Sequence, residues 1–213
     1  MPDATIARPR LSRALIAFVL LYMLAFGALA LWQGNTEFLI YAASMVVFIV
    51  LVLVVHRRVG FSAAALWCLA VWGCLHMGGG TVPIPADLAD TGSARTVLYS
   101  LRPWASWPRY DQVTHAFGFF SATLASFEAL LVFAGRPRRI GAGLCVAAGL
   151  VGVGLGACNE VLEFGVTLVV KHNNVGGYVN TGWDLVSNTV GATLAGVLCW
   201  VRSRPRAGGA SVA

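Results

Sequence analysis

The sequence predicts an all-α, polytopic membrane protein: a bundle of six transmembrane helices. Three observations predict it. First, 58% of the 213 residues are hydrophobic and 11% are charged, with mean hydropathy +0.75; a soluble domain carries roughly 25% charge. Second, the apolar residues fall into six runs, roughly 14–32, 36–55, 61–77, 111–134, 140–170 and 183–201. Each is near the about 20 residues that cross a bilayer, where only a self-satisfied backbone survives, so these runs read as helices. Third, eleven of the fifteen basic residues cluster between alternate runs. A water-soluble globule, a disordered chain and a secreted disulfide scaffold are excluded. The pI near 9.4 marks topology and not a nucleic-acid partner, because the arginines sit at the edges of apolar runs.

The elements follow in order. Arg8, Arg10 and Arg13 precede the first run; its Ala28-Leu29-Ala30 imitates a signal-peptide cleavage site, but the run is longer than a typical h-region and reads as a retained helix. Arg57 and Arg58 follow the second run, Arg136, Arg138 and Arg139 the fourth, and Arg202, Arg204 and Arg206 the sixth. The positive-inside rule puts these loops and both termini in the cytoplasm. Arg95, Arg102, Arg109 and Lys171 occupy the other loops. The domain plan is a cytoplasmic segment 1–13, one six-helix domain 14–201 with an outer loop 78–110, and a cytoplasmic tail 202–213 expected to be disordered. In the outer loop, Trp104, Trp107 and Tyr110 are expected at the membrane interface, and Arg95–Leu101 is a candidate short interfacial helix. The fifth run, 31 residues from Ile140 to Val170, is too long for a straight crossing at 1.5 Å per residue; it either protrudes or breaks near Gly165. The five cysteines, Cys68, Cys74, Cys145, Cys158 and Cys199, lie in apolar runs without C-x-x-C spacing and read as small buried residues.

Polar residues inside spanning segments are costly and mark function. Here they form a pattern. The fourth run carries the helical stripe Asp111, His115, Gly118, Ala122, Ala125. The fifth carries Ala142, Cys145, Gly149, Gly152, Gly156, Glu160, Glu163. The sixth carries Asp184, Asn188, Gly191, Ala195. Each stripe is small through the membrane and polar at its outer end. Small residues let helix backbones approach, and Gly152-x-x-x-Gly156 has the GxxxG form, so the three stripes are expected to face one another. Asp111, His115, Glu160, Glu163, Asp184 and Asn188 would then converge in one outward-facing site, with His76 at the same level. Asp111 and Asp184 are read as starting their helices, where capping is the competing explanation. Glu128 lies off the stripe, near the cytoplasmic end and Arg136, and reads as a structural pair or a snorkelling acid.

Asp-x-x-x-His and Glu-x-x-Glu each put two ligands on one helical face. Carboxylates with imidazole suit a divalent metal such as Zn, Mn or non-haem Fe, so Asp111, His115, Glu160, Glu163 and Asp184 are candidate metal ligands. A histidine among acids also suits proton transfer. No phosphate loop, G-x-S-x-G elbow or H-E-x-x-H motif is present.

The order Tyr110-Asp111-x-x-x-His115, Glu160-x-x-Glu163-Phe164 and Trp183-Asp184-x-x-x-Asn188 with Gly191-Ala192, preceded by His76-Met77-Gly78-Gly79, resembles the YjdF-like family of bacterial inner-membrane proteins, a domain of unknown function. The resemblance covers roughly residues 40–200. It is distantly similar to the VanZ-like family, some members of which are linked to glycopeptide-antibiotic resistance. The linker Tyr178-Val179-Asn180-Thr181-Gly182 departs from the Thr-Gln-Gly-like segments of the family, so no role is carried over to it. The resemblance implies an inner-membrane location and this residue set, but no substrate.

Three functions compete. The first is an enzyme or binding protein for a lipid or lipid-linked envelope molecule, with Asp111, His115, Glu160, Glu163 and Asp184 as ligands or acid–base groups oriented by Asn188. The second is a small proton-coupled transporter, disfavoured because the inner halves of the stripes carry no second polar station. The third is a structural or assembly factor. Membrane lipids are the expected partners, and nucleic acid is not.

Overall fold

The computed structural model describes residues 11–90, 96–137, 139–171, 173 and 175–204. The first ten residues, Arg95, Arg138 and most of the tail lie outside the described residues. The described residues form six α-helices: α1 Arg13–Trp32, α2 Thr36–Val59, α3 Ala63–Gly79, α4 Tyr110–Phe133, α5 Ala142–Val169 and α6 Tyr178–Ser203. Five of them are long and apolar enough to cross a membrane; α3, with 17 residues, is the shorter one.

The starts and stops have local causes. Ser12, Asn35 and Ser62 cap α1, α2 and α3 by accepting a backbone N–H three residues on. Gly60 ends α2 in the left-handed conformation at φ 71°, which a glycine adopts without steric cost. Large apolar side chains such as Leu21, Leu24, Val47, Leu150 and Phe164 point outward and are exposed. Water would not tolerate so continuous an apolar exterior, whereas lipid does.

Helix α4 is central. It packs against α6, α5 and α3, while α1 packs on α3 and α2. The α1–α3 half holds the larger side chains: Tyr22, Phe38, Met77 and Tyr99 form one core cluster, and Leu15, Phe61 and Leu66 another. The α4–α6 half is assembled on small residues. Gly152 abuts Thr123 and Ala192, Gly156 abuts Asn188, and Gly191 abuts the Ala116 backbone so closely that a Cβ at any of the three has no room. That contact brings the polar ends of three helices together.

Several expectations are corrected. Helix α6 starts at Tyr178, five residues before the apolar run at 183, because the Gly176-Gly177 pair, and not the hydropathy edge, sets its start. Asp184 is therefore in the second turn and does not begin the helix. Helix α5 runs unbroken through Gly165; its 28 residues rise about 42 Å. In place of an interfacial helix, the segment after Thr96 is a 3-10 turn, Leu98–Ser100, between two antiparallel bridges, Pro83 to Val97 and Ala89 to Leu101. These fold the loop back on itself over α3 and α4. Its tryptophans, Trp104 and Trp107, remain exposed with ring centroids 5.6 Å apart. Glu128 forms a structural pair, and its partner is Ser62: it accepts from the Ser62 backbone N–H at 2.7 Å and from the Ser62 hydroxyl at 2.5 Å, clamping the start of α3. Cys145 and Cys199 are buried, but Cys158 is exposed on the outer face of α5.

Candidate functional site

The site lies where the starts of α4 and α6 meet the last third of α5, at the end of the bundle covered by the 78–110 loop. Helix α4 begins after Pro108, with the Arg109 backbone N–H donating to Gln112 Oε1 at 3.0 Å. This sets Asp111 and, one turn on, His115 facing α5 and α6. Both are buried. His115 is the hub. Its Nδ1 donates to Asn188 Oδ1 at 3.0 Å and lies 3.5 Å from Glu160 Oε1. Its Nε2 lies 3.5 Å from Asp111 Oδ1 and 3.5 Å from Glu163 Oε1. Asn188, 1% exposed, bridges outward again, donating from Nδ2 to Glu160 Oε1 at 3.0 Å.

The six residues Asp111, His115, Glu160, Glu163, Asp184 and Asn188 thus meet through direct contacts or one intervening residue. The residue that sequence reasoning missed is Asn180. Its Nδ2 donates to Asp184 Oδ2 at 2.6 Å and faces Asp111 Oδ2 at 3.5 Å, while its Oδ1 accepts from the Arg109 guanidinium. It belongs to the linker that departs from the family pattern. The signal was there: Asn180, Asp184 and Asn188 are spaced i, i+4, i+8, one face of a helix, but only if α6 begins early enough to include Asn180. Asp184 is held by this neighbour four residues back and is no cap.

His76 adjoins the cluster, close enough to interact electrostatically with Glu163 and His115. Its Nδ1 shares a hydrogen bond with the Tyr99 hydroxyl, and its ring packs against those of Phe38, Tyr41 and Trp72. Tyr99 lies in the outer loop, and its burial raises its phenol pKa well above the ordinary range. Asn159 donates to Glu163 Oε1 at 2.8 Å. Both His76 and Asn159 line a cleft of about 260 Å³ between α2, α3 and α5, whose wall also holds Tyr41, Phe48, Leu162 and Val166.

Two carboxylate oxygens in the cluster, Asp184 Oδ1 and Glu160 Oε2, are buried without a hydrogen-bond partner among the described residues. Two triads have ligand atoms within 4.8 Å of one another: Asp111, His115 and Asp184, and His115, Glu160 and Glu163. Chemically, the arrangement can move protons, polarise a bound polar group or hold a cation.

An apolar exterior around a buried acid–imidazole cluster defines the class: a helical, polytopic membrane protein with a polar site inside its bundle. Residues 13–205 match a family model described as "Predicted membrane protein (DUF2238)", and the chain belongs to that family. The YjdF-like name fits this family; the VanZ-like likeness gains no support from it. No curated protein and no solved structure matches the chain.

Proposed function

We propose that this protein spans the bacterial inner membrane six times with both termini in the cytoplasm, and that its outward-facing site binds and acts on the polar head of a lipid or lipid-linked envelope molecule. The observation that carries this reading is the cleft between α2, α3 and α5. One part of its wall is apolar, with Phe48, Leu162 and Val166; another carries Tyr41, His76 and Asn159. An amphiphile matches that division, with its chain along the apolar wall and its head at the polar one. Asn159 links the cleft to the cluster through its hydrogen bond to Glu163. Glu163 and Glu160 are the acid–base candidates, and His115 and Asn188 orient them. The basic clusters at the far end of the bundle support the orientation, and the small-residue inner half argues against a through-path.

The test compares membrane lipids, by mass spectrometry, from cells producing the wild type, Glu163→Gln or Asn159→Ala, with protein abundance read by immunoblot. The expected result is a lipid species that changes with the wild type and reverts with either variant at equal abundance. An unchanged lipid profile with the wild type sinks the proposal. The assembly-factor reading draws on the Asn180 and Asn188 bridges, which tie three helices together; it predicts that both variants lose abundance.

A further inference from the structure

We infer that Asp111, His115 and Asp184 form a binding site for a first-row divalent cation of the Mn²⁺ or Zn²⁺ type, with Asn180 as the outer residue that positions both carboxylates. This goes beyond the lipid reading and does not depend on it.

Geometry comes first. The three candidate ligand atoms lie within 4.8 Å of one another. A metal at about 2.0–2.2 Å from each ligand requires separations of roughly 3–4.4 Å, so the triad closes on an ion with shifts of a few tenths of an ångström. The histidine is prepared for it. Nδ1 is hydrogen-bonded to Asn188 Oδ1; in the neutral imidazole that donates there, Nε2, which faces both Asp111 and Glu163, carries the lone pair, and a metal-ligating histidine characteristically spends its other nitrogen in this way.

The second observation is independent of the clustering. Asp184 is 0% exposed, and its Oδ1 has no hydrogen-bond partner among the described residues, although Oδ2 is bonded to Asn180. A buried carboxylate oxygen with nothing to accept costs free energy that a cation would offset. The Asn180 amide nitrogen donates to Asp184 Oδ2 at 2.6 Å and to the Val175 carbonyl at 3.0 Å and faces Asp111 Oδ2 at 3.5 Å, so Asp184 is fixed on one oxygen with Asp111 beside it. Four acids, Asp111, Glu160, Glu163 and Asp184, surround a single imidazole, while the Arg109 guanidinium reaches outward to Asp90 at 3.7 Å and to Asn180. With these acids ionised the excess is negative, and a divalent cation would balance it. One nitrogen and two carboxylates suit Mn²⁺ or Zn²⁺ better than Mg²⁺, which prefers an all-oxygen shell.

The experiment uses the full chain, purified in detergent, stripped with EDTA and titrated with MnCl₂, ZnCl₂ or MgCl₂. Metal retained after desalting is measured by plasma mass spectrometry, and thermal unfolding is followed alongside. The wild type is expected to retain stoichiometric Mn²⁺ or Zn²⁺ and to melt higher with it. Asp184→Asn should abolish retention, and Asn180→Ala should weaken it by the about 10–100-fold typical of lost outer partners. Glu160→Gln, in the other triad, should weaken retention less than Asp184→Asn does. Absence of both retention and a melting shift in the wild type overturns the site. So does a larger loss of retention in Glu160→Gln than in Asp184→Asn at wild-type stability, which would move the ion to the other triad. If Asp184→Asn fails to fold, the wild-type titration and Asn180→Ala still decide.

Discussion

Gly191→Ala tests whether the close helix contact and the polar site depend on each other. An ideal Cβ on Gly191 overlaps the Ala116 carbonyl oxygen and falls 2.7 Å from its carbonyl carbon and 3.0 Å from its Cα. Carbon atoms settle at about 3.5–4.0 Å, so α6 must retreat from α4 by on the order of 1 Å. Backbone atoms have no rotamer into which to escape. The same interface carries the His115–Asn188 hydrogen bond at 3.0 Å: Ala116 follows His115, and Gly191 lies nearly one turn after Asn188. A retreat of about 1 Å takes that bond beyond hydrogen-bonding distance. Overpacking costs about 1–3 kcal/mol, and orphaning a buried pair costs a further ~1–3 kcal/mol. For a chain of this size, each kcal/mol lowers the melting temperature by about 2–4 °C, so a fall of roughly 5 °C or more is expected. The assay is thermal unfolding in detergent followed by tryptophan fluorescence. The control is Gly154→Ala, whose Cβ meets nothing within 4 Å and whose helix gains propensity. Equal melting temperatures for the two variants would refute the claim that this contact is closed to any side chain.

Three further outcomes are expected. A reporter active only in the periplasm should be silent at the C-terminus, and strong activity there would reverse the orientation. Glu128→Ala should lower stability by about 1–2 kcal/mol through loss of the charge-assisted clamp on Ser62, while leaving metal retention intact; a change in retention would show that the two ends of α4 are coupled. Tyr99→Phe should lower the melting temperature at neutral pH, because His76 loses its hydrogen-bond partner. The fold holds the Tyr99 phenol neutral, with a raised pKa, so its contribution is present below the ordinary value of about 10 and is lost as pH climbs past it. The variant should therefore show a shallower alkaline loss than the wild type, and identical alkaline slopes would remove Tyr99 as a cause.

What the sequence made legible follows from periodicity. In lipid the backbone has one answer, so six apolar runs translate into six helices, and stripes of Gly and Ala identify the faces that meet. That Asp111, His115, Glu160, Glu163, Asp184 and Asn188 lie together could be read from those stripes. Edges were less legible. Hydropathy marks where a helix meets lipid, not where its hydrogen bonding begins, so the polar first turn of α6 reads as linker, and Asn180 with it. The partner of Glu128 is hidden for a related reason: Ser62 is 66 residues away, and only antiparallel packing of α3 and α4 brings it near. The loop bridges were hidden because pairing between short irregular segments has no period to detect.

The glycines and the acids belong to one argument. A carboxylate cluster inside a bundle is tolerable only where its neighbours are fixed closely enough to satisfy it. Here Gly156 admits the Asn188 side chain against α5, and Gly191 lets α6 reach the α4 backbone beside His115. Asn188 can then serve His115 and Glu160 at once. Small residues alone would give a tight bundle, and acids alone an unstable one. Together they hold two unpartnered carboxylate oxygens, Asp184 Oδ1 and Glu160 Oε2, in rigid surroundings. A purely structural network gains nothing from leaving those acceptors open, whereas a site that takes up a cation or a substrate's polar head requires them.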